Sequence, residues 1–321
     1  MDAKVSTVRN AQILSAQHRA ALITKFASKQ TYYTIRFLVD PDLVSDAYRA
    51  YAYFRWVDDW LDQDEREKSE RIAFVNRQSA LVEHCYQGEW PHQTLADEEY
   101  MLIDLICGDS KRVNGLQSYI RNMLTVMAFD AERRGRLIYK DELANYTHWL
   151  ATAVTDAMHY FIGHNSPPPR DPNRYLAVTA AHISHMLRDA HEDLKAGYFN
   201  IPREFLDANG IMPWDFESNP YSVWVQRRVQ VARDCFDAGK SYLAQVINVR
   251  CRLAGFSYIA RFERMLDLIE QDGHVLRGDY QERKSPRTAA RMAWSMLSMI
   301  LGPLYQGEAL QPVEHPARSK R

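Results

Sequence analysis

Along most of the chain apolar residues recur every three or four positions, and alternating runs of β-branched residues are absent. That period is the period of one face of an α-helix. It predicts helices over residues 46–61, 114–132, 140–163, 173–195, 221–254 and 259–271, with a last core helix over 287–301. SPPPRDP, Ser166 to Pro172, must interrupt the helical run, because proline lacks the amide hydrogen and clashes with the preceding turn. Gly197 is placed to end the helix before it. A looser stretch follows over 202–220, with turns at Asn209-Gly210 and Asn219-Pro220. No repeat at a solenoid period and no low-complexity linker divides the chain. The expectation is one all-α domain over residues 1–305 and a disordered tail over 306–321.

Composition narrows the partners. The 321 residues are 46% hydrophobic and 25% charged, enough for a large core. A net charge of −1 supplies no basic field for nucleic acid. Cys85, Cys107, Cys235 and Cys251 form no CxxC pair, which reads as reduced thiols in a cytoplasmic protein. No stretch reaches the ~20 apolar residues of a membrane span, so any membrane contact is expected to be peripheral. No obligate protein partner is expected.

Two acidic clusters change the picture. In LRDAHEDL, Asp189 is followed at +3 by Glu192 and at +4 by Asp193. In FRWVDDWLDQD, Asp58 and Asp62 are four apart and Asp59 lies three before Asp62. These spacings put each set on one helical face, where like charges repel. Both sets end largely apolar helices, so unpaired carboxylates there are costly. A divalent cation removes that cost. Mg²⁺ takes oxygen ligands and is usually shared with substrate phosphates. Acid pairs on helices are more often solvated faces; two clusters, each beside an arginine and each in an apolar helix, weigh against that reading here.

YAYFRWVDDWLD, Tyr51 to Asp62, resembles the first aspartate-rich motif of the squalene/phytoene synthases, and LRDAHEDLKAGYFNIP, Leu187 to Pro202, resembles their second. FLVDPDLVSDAYRAYAYFR and ELANYTHWLATAV strengthen the likeness, which covers residues 28–276. The resemblance implies an all-helical isoprenoid-synthase bundle around a central cavity, and an enzyme that condenses two C15 or C20 prenyl diphosphates head to head. It implies Mg²⁺ held by Asp58, Asp62, Asp189 and Asp193. Arg55 and Arg188 would bind diphosphate oxygens, with Ser28 and Lys29 as weaker candidates, and Tyr51 and Tyr146 would line the cavity. No GxGxxG motif supports a Rossmann-type NADPH site, although squalene formation in this fold would bind NADPH differently.

The match departs from the family around the second motif. His182 and His185 stand where glutamine and asparagine are usual, Tyr198 and Asn200 where arginine and tyrosine are usual, and Thr152 and Thr155 where small residues are usual. Weakening one of two diphosphate sites motivates an alternative, a terpene synthase that ionises a single prenyl diphosphate. His182, His185 and Asp189, with Asp156 and His159 on the neighbouring helix, define a less favoured transition-metal reading. A non-catalytic, lipid-binding helical protein is the third alternative. Tyr198 to Trp214, rich in apolar residues, is the expected membrane contact or cavity cover.

Overall fold

A computed structural model describes residues 18–90, 94–109 and 115–280. They form helices only: α1 (residues 18–27), α2 (Lys29–Leu38), α3 (Val44–Leu61), α4 (Lys68–Gln87), α5 (Asp97–Cys107), α6 (Gly115–Arg133), α7 (Lys140–Phe161), α8 (Leu176–Ala196), α9 (Arg203–Asn209), α10 (Asn219–Gln245) and α11 (Val249–Gln271). The helix expected over 287–301 and the 306–321 tail lie outside the described residues.

Local chemistry fixes the ends. Ser28 caps α2 by accepting the Thr31 amide hydrogen. Glu142 turns back onto the Tyr139 amide at 2.8 Å to start α7. Gly197 stops α8 with φ +86, a left-handed conformation that a side chain would resist.

Three expectations shift. The helix predicted from residue 173 begins as a 3₁₀ turn, Pro172–Tyr175, before α8 proper. The helix predicted over 221–254 ends at Gln245. Asn248 then caps α11, its side chain accepting the Cys251 amide hydrogen. The gap left between the predicted helices, residues 255–258, lies inside α11, and Gly255 with it. There Gly255 permits close approach to α10, since a Cβ would meet Leu243 Cδ2 at 2.6 Å. Helices α1, α2, α4 and α5 were not foreseen, and the stretch expected to be loose over 202–220 contains α9; α4 has apolar positions too scattered to show one clean face.

The buried helix α8 packs against α7, α10 and α11, while α3 packs against α2, α5 and α6. Apolar side chains of these helices form one large core. Within it lies a cavity of about 300 Å³, walled by Ile35, Val39, Ala47, Tyr51, Tyr119 and Tyr258 among others. No helix among the described residues is long and apolar enough to cross a membrane.

Candidate active site

Helices α3, α6 and α8 end at one mouth of the bundle. The Gly135 amide after α6 donates to the Gly197 carbonyl after α8 at 2.8 Å. Arg134 spans the junction: its Nε donates to the Ala196 carbonyl at 2.9 Å, and its guanidinium pairs with Asp64 beyond α3. Each helix C-terminus carries roughly half a negative charge from its unsatisfied carbonyls. Asp58, Asp130 and Asp193 sit in or beside these last turns, Asp62 caps α3, and Asp189 lies one turn before Asp193.

The two sequence motifs are brought face to face. Asp62 and Asp193 line one open cavity of about 540 Å³, together with Glu192, Arg134 and Tyr198. Partial burial, then repulsion from Asp62, pushes the Asp58 carboxyl up to about 6. Burial, then repulsion from Asp189, pushes Asp193 up to about 7. Burial also raises Asp62, against the pull of Arg55 and Arg134. These carboxylates strain to be charged together, and cations relieve that strain.

Sequence reasoning missed α6. Asp130 contributes to the shifts of Asp58, Asp62 and Asp193, so it lies between the motifs. It accepts from Tyr146 Oη at 2.9 Å and from Arg133 Nε at 2.7 Å, and burial raises its carboxyl. Arg133 then donates to Asn200 Oδ1 at 2.9 Å, and Asn200 Nδ2 donates to Asp193 Oδ2 at 2.6 Å. The Arg133 guanidinium also lies 4.8 Å from the rings of Tyr146 and of Tyr198. The available signal was FDAERR, an acid–arginine pair in the last turn of a helix.

Other candidates take varied places. Tyr51 lines the apolar cavity, hydrogen-bonds Ser28, and lies near Arg55 and Asp58. Arg55 donates to Asp58 at 3.2 Å and pairs with Asp59. Arg188 donates to Asp189 at 2.6 Å and contacts His185 Nε2 at 2.6 Å. Lys29 is exposed, with no partner among the described residues. Tyr146 supports Asp130 from a smaller apolar cluster with Phe129, Leu143 and Met186, and is not among the residues lining the apolar cavity.

The histidines do not converge. His182 is buried, and its Nδ1 meets Thr147 Oγ1 at 3.1 Å. Burial, helped by His185, Arg133 and Arg228, pushes its imidazole down to about 3, so it is neutral. His185 is half-exposed, 3.4 Å from Asp189. Asp156 is engaged by Ser118 and Arg174, and His159 by Tyr242. The Thr152 and Thr155 hydroxyls are buried without partners among the described residues.

Among the described residues no three carboxylate, imidazole or thiol groups are close enough to enclose a metal by themselves. The donors suit Mg²⁺ all the same: they are oxygens only, spread over facing helices, and Mg²⁺ needs one or two carboxylates besides substrate phosphates. Asp58, Asp62, Asp189 and Asp193 would hold it.

An all-helical bundle with an apolar cavity and a mouth of aspartates and arginines is the isoprenoid-synthase fold. The squalene/phytoene synthase family matches residues 24–293, and the chain belongs to that family, whose members are prenyltransferases joining prenyl diphosphates head to head. Comparison with characterised proteins by sequence gives no match. Solved structures share the fold. A squalene synthase, HpnC, from Alicyclobacillus acidocaldarius has a TM-score of 0.65 at 16% identity, covering 83% of this chain and 97% of that one. A dehydrosqualene synthase in complex with a ligand has a TM-score of 0.69 at 15% identity, covering 92% and 99%. TcSQS in complex with BPH1237 has 0.67 at 15%, covering 94% of each.

Proposed function

We propose that this enzyme is Mg²⁺-dependent and condenses two allylic prenyl diphosphates, C15 or C20, head to head into a squalene-, dehydrosqualene- or phytoene-type hydrocarbon. The observation that carries this reading is that Asp62 and Asp193, one from each motif, line a single cavity, with Asp58 and Asp189 one turn before them on α3 and α8. Bound Mg²⁺ supplies Lewis-acid neutralisation of the leaving diphosphate. Arg55 and Arg188 add fixed positive charge at the same oxygens. Asp130 and Arg133 hold the second motif in place through Asn200. Tyr51, Tyr119 and the apolar wall exclude water from the allylic cation, and their ring faces stabilise it.

Incubation with C10, C15 and C20 diphosphates, with and without Mg²⁺ and NADPH, followed by product mass analysis, tests the proposal. A C30 or C40 hydrocarbon formed only with Mg²⁺ is the expected result; full activity in EDTA overturns it. The NADPH arm separates reductive from proton-loss termination. One observation favours a second reading, ionisation of a single substrate: Tyr198 and Asn200 follow Gly197 where arginine and tyrosine are usual, and Asn200 already occupies an Asp193 oxygen. C15 or C20 olefins and alcohols as sole products would establish that reading. A C30 or C40 product is nearly insoluble, at ~0.8 kcal/mol for each buried CH₂. Met212 and Trp214, both about half-exposed, are the side chains of the Tyr198 to Trp214 segment best placed for a peripheral membrane contact.

A further inference from the structure

A third and larger cavity lies on the other side of α8, away from the carboxylates. It measures about 870 Å³ and runs between α7, α8, α9 and α10, a size that suits a small-molecule site. Leu143, Ile183, Phe205 and Trp224 give it an apolar wall, and Lys140, Arg227 and Arg228 bring positive charge. The one carboxylate among its lining residues, Glu204, already accepts the Lys140 amide hydrogen at 3.1 Å.

Arg228 is the informative residue. It is half-buried on α10, and burial pulls its guanidinium below the usual arginine range. It has no hydrogen bond, ion pair or ring contact among the described residues, while Arg233 on the same helix is paired with Asp267 and Glu270. A desolvated charge without a counter-charge is costly, and an arginine fork matches carboxylate and phosphate oxygens. The apolar wall beside it has no use for a free inorganic anion; it fits a hydrocarbon tail.

We propose that this cavity binds a single-chain anionic amphiphile, its tail against α8 and α10 and its phosphate or carboxylate head on Arg228. The site is separate from the carboxylate mouth. Its wall nevertheless includes Thr147, whose hydroxyl bonds His182.

Calorimetric titration of the full chain with dodecyl phosphate and with dodecanoate tests this, with dodecanol as the uncharged control. One saturable molecule per chain is expected, with dodecanol at least tenfold weaker. Arg228→Met should weaken binding at least tenfold, Arg228→Lys should recover part of it, and Ala144→Trp should block the cavity. Asp58→Asn, and excess prenyl thiodiphosphate with Mg²⁺, should leave it unchanged. Tighter binding of the phosphate points to a prenyl or lipid phosphate, and of the carboxylate to a fatty acid; either supports the site. Absent saturable binding, equal binding by Arg228→Met with an unchanged melting temperature, or displacement by the thiodiphosphate overturns it.

Discussion

Two polar clusters in this bundle use the same kinds of residue and reach opposite states. Against the core, Asp156 accepts from Ser118 and Arg174, each at 2.6 Å, and His159 meets Tyr242 Oη at 2.7 Å and Cys251 Sγ at 3.6 Å. Asp156 there has a countercharge and a hydroxyl donor, so that cluster holds α6, α7, the Pro172–Tyr175 turn, α10 and α11 together. At the mouth, Asp58, Asp62, Asp130, Asp189 and Asp193 crowd the ends of three helices, and the carboxyls of Asp58 and Asp193 are pushed up to about 6 and about 7. An acid met by its own countercharge is architecture, whereas acids raised by burial and by one another are prepared for a ligand. Acid spacing alone does not separate the two; the partners around each acid do.

Exchanging the roles of these clusters breaks the comparison. Asp58→Asn or Asp193→Asn should lower diphosphate release at least about 10³-fold, or about 4 kcal/mol of barrier, with no loss of melting temperature, because like-charge repulsion is relieved. A melting temperature that drops by several degrees in either variant would make the mouth structural too. Asp130→Asn should cost about 10²-fold in rate, and raise the Mg²⁺ concentration needed for half activity.

Asp156→Ala should do the reverse. It strands the Arg174 guanidinium and should destabilise the fold by about 3 kcal/mol, read as a fall in denaturant midpoint, with activity at low temperature largely kept.

The buried histidines set an acid limit. His159 is pushed down to about 4 and His182 to about 3, both first by burial. Unfolded, each titrates near 6.5. Below that value the unfolded chain binds more protons than the folded one, so stability is lost as pH falls from about 6.5 toward 4. His159→Gln should flatten this loss in thermal melts between pH 7 and pH 4. The smallest effect is expected for His185→Asn, which should stay within about tenfold of the parent rate. Its imidazole is half-exposed and contacts Asp189, Arg188 and the Phe262 ring.

Much of the site was legible without coordinates. Asp58 and Asp62, like Asp189 and Asp193, are four residues apart, and i to i+4 adjacency is a local property of a helix. One expected helix limit failed although the signal that sets it is local. The sequence after residue 221 keeps its apolar period through Val246 to Asn248, and Asn248 capping α11 decides the break. The end of α6 was legible, since the helix predicted to residue 132 ends at Arg133, but the role of Asp130 was not, because the groups it meets, Tyr146 and the acids of both motifs, lie on other helices.

The sequence by itself determined the helical class, the two aspartate faces and the arginines next to them, since periodicity and spacing act within one turn or two. Only the tertiary structure decided that α3, α6 and α8 finish at one mouth. Arg133 reaches Asn200 across 67 positions, and Arg134 reaches Asp64 across 70. Such contacts depend on how the core packs, and the packing of many buried side chains at once is not encoded in any local stretch of sequence.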